Sequence, residues 1–188
     1  MKLLNFKEAD MPGKILKLKI SLLRLNPLIW RRVLIDMAGD LEDLHRTIQL
    51  AMGWENCHLY SFRYGNQEFG CDEEGFSNER LAALSLREKD EILYEYDFGD
   101  CWEHKVKVEA ILSKEKGVFY PKCLEGARAC PPEDCGGVWG YEENLEIMCD
   151  KNHPEYEDTV QWMGKDFDPE HFDLKSVNRN LEGAFVRY

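Results

Sequence analysis

The sequence predicts an α+β fold: a largely antiparallel sheet packed on an early helix, with C-terminal helices flanking it. Three observations carry that prediction. Segments between residues 14 and 112 alternate apolar and polar side chains with the two-residue period of half-buried strands. A single segment among them, residues 40–52, carries an apolar stripe at helical spacing. After a long loop at residues 113–137 the period turns helical and stays so. The order is β-β-α-β, then a hairpin, then three helices, and its opening is β-grasp-like.

Residues 1–13 form a charged tail broken by Pro12-Gly13, and residues 14–188 form one domain. In KILKLKISLL the residues Leu16, Leu18, Ile20 and Leu22 share one face. Asn26-Pro27 turns the chain into LIWRRVLI, where Trp30, Arg32 and Leu34 oppose Arg31 and Val33. Two arginines here read as edge residues whose stems lie on the sheet while their heads reach water. Asp40 caps the helix that follows, and Leu41, Leu44, Ile48, Ala51 and Met52 make its stripe. Gly53 ends it, with Trp54 folding back. His45 borders the stripe as a packed structural histidine. His58, Tyr60, Phe62 and Tyr64 alternate on a third strand. Residues 65–80 are turn-rich and acidic, a short hairpin plus an exposed loop, and residues 79–87 read as a short helical turn.

The clearest hairpin is EILYEYDFGDCWEHKVKVEAIL: Ile92, Tyr94 and Tyr96 face the core, Phe98-Gly99-Asp100 turns the chain, and Trp102, His104, Val106 and Val108 return on the core face. Tyr141, Leu145 and Met148 begin the helical region. Pro154 opens a second helix that ends near Gly164, and Leu174, Val177 and Leu181 mark the last.

At 188 residues the chain can bury a real core, and no apolar run approaches the roughly 18 residues of a membrane span. The N-terminus lacks the apolar stretch of a signal peptide, which points to the cytoplasm. Seven cysteines there read as thiols or metal ligands rather than disulfides. Acids outnumber bases 36 to 24, for a net charge of −12. Residues 140–173 alone hold eleven Asp and Glu against Lys151 and Lys165. Such a surface repels phosphate backbones, so a nucleic-acid partner is disfavoured and a protein partner or metal ion suits it better.

The stretch from Tyr94 to Gly140 concentrates the chemistry. One candidate is a thiolate metal site, with Cys123, Cys130 and Cys135 joined by His104 and zinc as the cofactor. Its C-x6-C and C-x4-C spacings lie at or beyond the edge of the zinc pattern. A second candidate is a carboxylate–imidazole set of His58, Asp97, Asp100, His104, Glu133 and Asp134. Such residues hold a divalent metal and activate water, with Asp100, His104, Glu133 and Asp134 as the catalytic group. In a regular hairpin Asp97 and His104 face apart, so the set assembles only where a turn or bulge re-aims a side chain. Gly136-Gly137 reads as a tight helix entry rather than a phosphate cradle, because Glu133 and Asp134 sit beside it.

The runs PLIWRRVLI, AMGWENCHLYSFRYG, YEYDFGDCWEH, YPKCLEGARACPPEDCGGVWGYEE and DFDPEHFDLKSVNRNL closely resemble the plasmid pRiA4b ORF-3-like family. The likeness covers nearly the whole chain after residue 13. It implies a compact α+β domain of unestablished activity, sometimes encoded beside mobile elements. It also implies conserved counterparts of His58, His104, Asp97, Asp100, Glu133, Asp134 and Gly136-Gly137. Other residues commonly stand at the positions of Cys101 and Cys135, which weakens any thiol-dependent scheme. Three functions follow as expectations: an interaction module of unidentified ligand, a metal-assisted hydrolase, or a mobile-element nucleic-acid protein, the last opposed by charge.

Overall fold

A computed structural model describes residues 13–72, 75–76 and 79–185. Of the expected tail only Gly13 falls among them, and part of the acidic loop within 65–80 also lies outside. The elements are β1 (Lys14–Leu22), β2 (Trp30–Asp36), α1 (Leu41–Met52), β3 (Tyr60–Tyr64), β4 (Gln67–Asp72), β5 (Gly75–Phe76), β6 (Glu91–Tyr96), β7 (Trp102–Ser113), β8 (Lys122–Ala127), α2 (Gly137–Cys149), α3 (Tyr156–Met163) and α4 (Leu174–Phe185). The strand order is β5-β4-β3-β6-β7-β1-β2-β8, with the two-residue β5 added at one edge. Every pairing is antiparallel. The β-grasp likeness therefore extends to the opening β-β-α-β order and not to a parallel central pair.

One face of the sheet is the core. Leu18, Ile20, Leu22, Val33, Phe62, Ile92, Tyr94, Tyr96, Trp102, Val106 and Val108 are buried there, under Leu41, Leu44, Ile48, Ala51 and Met52 of α1. The alternation read from β1, β6 and β7 is thus realised, because a half-buried strand with the wrong register would expose its entire apolar set. The α1 caps also match: Asp40 and Asp43 form a reciprocal capping box, and Gly53 takes a left-handed φ of 104°. The outer face is polar. There Lys17, Glu109, Arg32 and Glu125 form a chain of ion pairs. Each exposed pair contributes about 1 kcal/mol at most, against about 1.5–3 kcal/mol for one buried Leu or Ile, so the covered face holds the fold.

Two features depart from the sequence reading. KCLEGA, expected to be loop, is the edge strand β8. It lacks a clean alternation, with only Cys123 buried, and its strand state comes from pairing with β2. Pro154 lies in the turn ahead of α3, which starts at Tyr156 and stops before Gly164.

Arg31 is also not an edge residue reaching for water. It is 2% exposed on the core face of β2. Its guanidinium donates to the carbonyls of Trp30, Ala51, Ala127 and Arg128, all at 2.8 Å, and stacks over Phe172. One side chain thereby joins the end of α1, β2, β8 and the segment before α4. A planar five-donor fork does this where a lysine cannot. Arg31→Lys keeps the charge but leaves buried carbonyls unpaired. It is expected to cost about 2–4 kcal/mol, read as a lower urea midpoint at unchanged slope.

Candidate metal centre

Four polar side chains from three loops meet at the end of the β6–β7 hairpin. His58 sits in a bend just before β3, not on the strand itself, which leaves its ring free of the sheet. Asp97 follows β6 with φ 57°, a left-handed conformation that turns its side chain out of the strand alternation. This is the re-aiming that a regular hairpin lacks. Glu133 and Asp134 occupy the turn after Pro131-Pro132, Asp134 again left-handed at φ 55°.

The loop is held where it is by three hydrogen bonds. Trp54 Nε1 donates to the Pro131 carbonyl at 3.0 Å, the Glu55 amide to Glu133 Oε1 at 2.8 Å, and the Gly136 amide to Asp100 Oδ2 at 3.1 Å. Gly137 then passes so close to the hairpin turn that a Cβ would stand 2.5 Å from the Asp100 carbonyl oxygen, and its φ is +69°. Only glycine meets both demands.

Around His58 Nε2 lie Asp134 Oδ1 at 3.1 Å, Asp97 Oδ2 at 3.7 Å and Glu133 Oε2 at 3.9 Å. His58 Nε2 and Glu133 Oε2 are both buried and without a hydrogen bond. Two of the three carboxylates are already oriented through their other oxygen. Asp97 Oδ1 accepts from the Gly99 amide at 2.9 Å, and Glu133 Oε1 accepts from the Tyr96 hydroxyl at 3.0 Å. Burial holds the Tyr96 phenol well above its ordinary pKa, with Cys57 and Glu133 adding to the effect, so it stays a donor. Among the described residues no Lys or Arg pairs with Asp97, Glu133 or Asp134. Cys57, beside His58, brings its sulfur within 4.8 Å of the His58 and Glu133 ligand atoms, a member that the sequence reading missed. The Cys-His dipeptide in ENCHLY was its only trace.

A cleft of about 360 Å³ opens beside His58, lined by Glu42, His45, Asn56, Cys57, Leu59 and Tyr60 among others. His45 there is structural, as expected. Its ring stacks on Tyr60 at 3.5 Å, and its nitrogens lie 2.9 Å from the Tyr94 hydroxyl and 2.6 Å from Asn56 Oδ1.

The remaining sequence candidates do not join this cluster. Asp100 caps the entry to α2 instead. Cys123, Cys130 and Cys135 form no ligand group with each other or with His104. Burial first pushes the Cys123 thiol up to about 11 and the Cys135 thiol to about 12, the latter helped by Asp100 and neighbouring carboxylates. It raises Cys130 further still. Cys123 lies on β8, and Cys130 and Cys135 lie in the loop that follows.

Fold and cluster together define a two-layer α+β protein with a histidine–carboxylate centre at one end of its sheet. A crystal structure of a protein of unknown function, MM3350 from Methanosarcina mazei Go1, has the same fold with a TM-score of 0.82 and 44% identity, covering 88% of this chain and 98% of that one. The uncharacterized protein y4hQ of Sinorhizobium fredii is 35% identical over 187 residues, 95% of this chain and 96% of the relative. The pattern of the plasmid pRiA4b ORF-3-like proteins matches residues 14–176, and the chain belongs to that family. Among the described residues no helix is long and apolar enough to cross a membrane.

His104 lies apart from the cluster, fully buried against Trp54 and Tyr94. Neither ring nitrogen makes a well-formed hydrogen bond, and the Trp102 and Tyr94 backbone offers it only weak ones. Burial lowers its pKa from 6.5 to about 3, with the Trp102 and Tyr94 backbone offsetting only part of that. As pH falls, the unfolded chain therefore takes up this proton first. The stability tied to the neutral ring is complete above about pH 6.5 and is lost toward about pH 3. His104→Met removes this titration. Urea melts at about pH 7 and about pH 4.5 are expected to show a smaller acid loss in the variant than in the parent.

Proposed function

We propose that His58, Asp97, Glu133 and Asp134 bind one divalent cation, and that the protein uses it to activate water for hydrolysis at the adjoining cleft. The observation that carries this reading is the unbonded His58 Nε2 facing three carboxylates that no basic residue neutralises. A cation of charge two offsets most of that repulsion. Ligands bonded at about 2.1 Å to one metal lie roughly 3–3.5 Å apart, so the His58–carboxylate separations need to contract by less than about 1 Å, and Glu133, which groups with His58 and Cys57, would have to close on the His58–Asp97–Asp134 set. One imidazole with carboxylate oxygens suits zinc or manganese. The ion would lower the pKa of its bound water, and Glu133 or Asp134 would take the proton. Asp134, with its side chain 71% exposed, leaves the outer side open to solvent.

Purified protein incubated with zinc or manganese is expected to hold one equivalent, measured by elemental analysis and calorimetry. His58→Ala and Asp97→Asn should each weaken binding by about a hundredfold, roughly 2.7 kcal/mol, while Cys130→Ala and His104→Met leave it intact. A parent protein that takes up neither ion would end this reading.

A second reading, an interaction module for a protein partner, is favoured by Trp139 and Trp162. These indoles are 83% and 51% exposed on neighbouring helices.

A further inference from the structure

The helices after the metal cluster leave a groove with a chemistry of its own. Between α2 and α3 runs a depression of about 460 Å³, lined among others by Glu143, Glu155 and Asp158, with Ile147 at its floor and Trp162 at its wall. Trp139 stands one helical turn before Glu143, on the same side of α2. None of the three carboxylates has an ion-pair partner among the described residues. Lys151 and Lys165 are the only Lys or Arg in residues 140–173, beside His153 and His171. Indole faces beside unpaired carboxylates on a small apolar floor match a cationic side chain on an aliphatic stem. Large exposed aromatics are also the side chains that most often anchor protein interfaces.

We propose that this groove binds a lysine- or arginine-bearing segment of a protein partner, with Trp139 and Trp162 stacking on its cations and Glu143, Glu155 and Asp158 pairing with them. The inference rests on the interaction-module reading and is independent of the metal cluster. Charge complementarity selects this occupant. A phosphate-bearing chain would be repelled by the same three carboxylates, and an acidic segment equally so.

The test is fluorescence anisotropy at physiological salt with a fluorescein-labelled amphipathic Lys/Leu peptide and its Glu/Leu counterpart. The Lys/Leu peptide is expected to bind and the Glu/Leu peptide not. Trp162→Ala and Trp139→Ala should each weaken binding about tenfold, and the triple change Glu143→Gln, Glu155→Gln, Asp158→Asn by at least about tenfold. Because an acidic protein attracts basic peptides everywhere, Glu68→Gln, Glu88→Gln, Glu91→Gln serves as a control with the same change of net charge on a distant surface. It should alter affinity by less than about twofold. Equal weakening by this control, or no weakening in the tryptophan variants, overturns the groove as the site. Binding of the Glu/Leu peptide that depends on Trp139 and Trp162 overturns the basic partner but keeps an interaction module. Absence of binding by either peptide counts against both.

Discussion

The hairpin turn at Asp100 and the entry to α2 at Gly137 touch backbone to backbone. A methyl group there would sit 2.5 Å from a carbonyl oxygen. The Asp100 carboxylate accepts the Gly136 amide on the other side of the same contact. Together with the Trp54 indole on Pro131, this clamps the CPPEDCGG loop against the turn and against the segment leaving α1. The clamp keeps Glu133 and Asp134 beside His58. The same contact sets where α2 begins, and therefore where the acidic groove between α2 and α3 lies. Asp100, a catalytic candidate on composition, is better understood as the residue that positions the others.

Charge in this chain is separated by location. On the outer face of the sheet, opposite signs alternate and pair, so that Lys17, Arg32, Glu109 and Glu125 neutralise one another. In the hairpin-end cluster and in the α2–α3 groove, carboxylates gather without a Lys or Arg partner among the described residues. Like charges at such distances repel, and a fold keeps them together only when packing or backbone hydrogen bonds over-determine the geometry. Here they do. Asp97 is fixed by Gly99 and Glu133 by Glu55 and Tyr96. Left-handed backbone at Asn56, Asp97, Cys101 and Asp134 concentrates conformational cost around the cluster. Such cost collects at sites where geometry matters more than local stability.

Buried polar groups divide along the same line. Arg31 and His45 are inside and fully partnered, and they tie elements together. His104 is inside and only weakly partnered, and it is neutral because burial makes its charged form too costly. His58 is unpartnered at Nε2 but near the surface and facing carboxylates. That contrast separates the two histidines, which the family likeness had placed side by side.

By itself the sequence determined the class of fold, the α1 helix with both its caps, the β6–β7 hairpin with its core face, and the acidic surplus near the C-terminus. Each is a local pattern: a period of two, a period of 3.6, a capping aspartate, a glycine after a stripe. It also named His58, Asp97, Glu133 and Asp134 of the cluster, but not Cys57, and mixed them with Asp100, His104 and three thiols that lie elsewhere. Spacing along a chain carries no information on which side chains meet across loops 36 to 76 residues apart. The tertiary structure decided that. A positive φ at Asp97 turned it toward His58, while His104 stayed on the core face that the alternation of β7 had already given it. Pairing with β2 made KCLEGA a strand that no pattern in it announces. Arg31, in a dipeptide that reads as surface, was drawn inside because four carbonyls from distant segments converge on it. Local chemistry sets the elements, and long-range hydrogen bonding and close packing choose among the sites those elements can build.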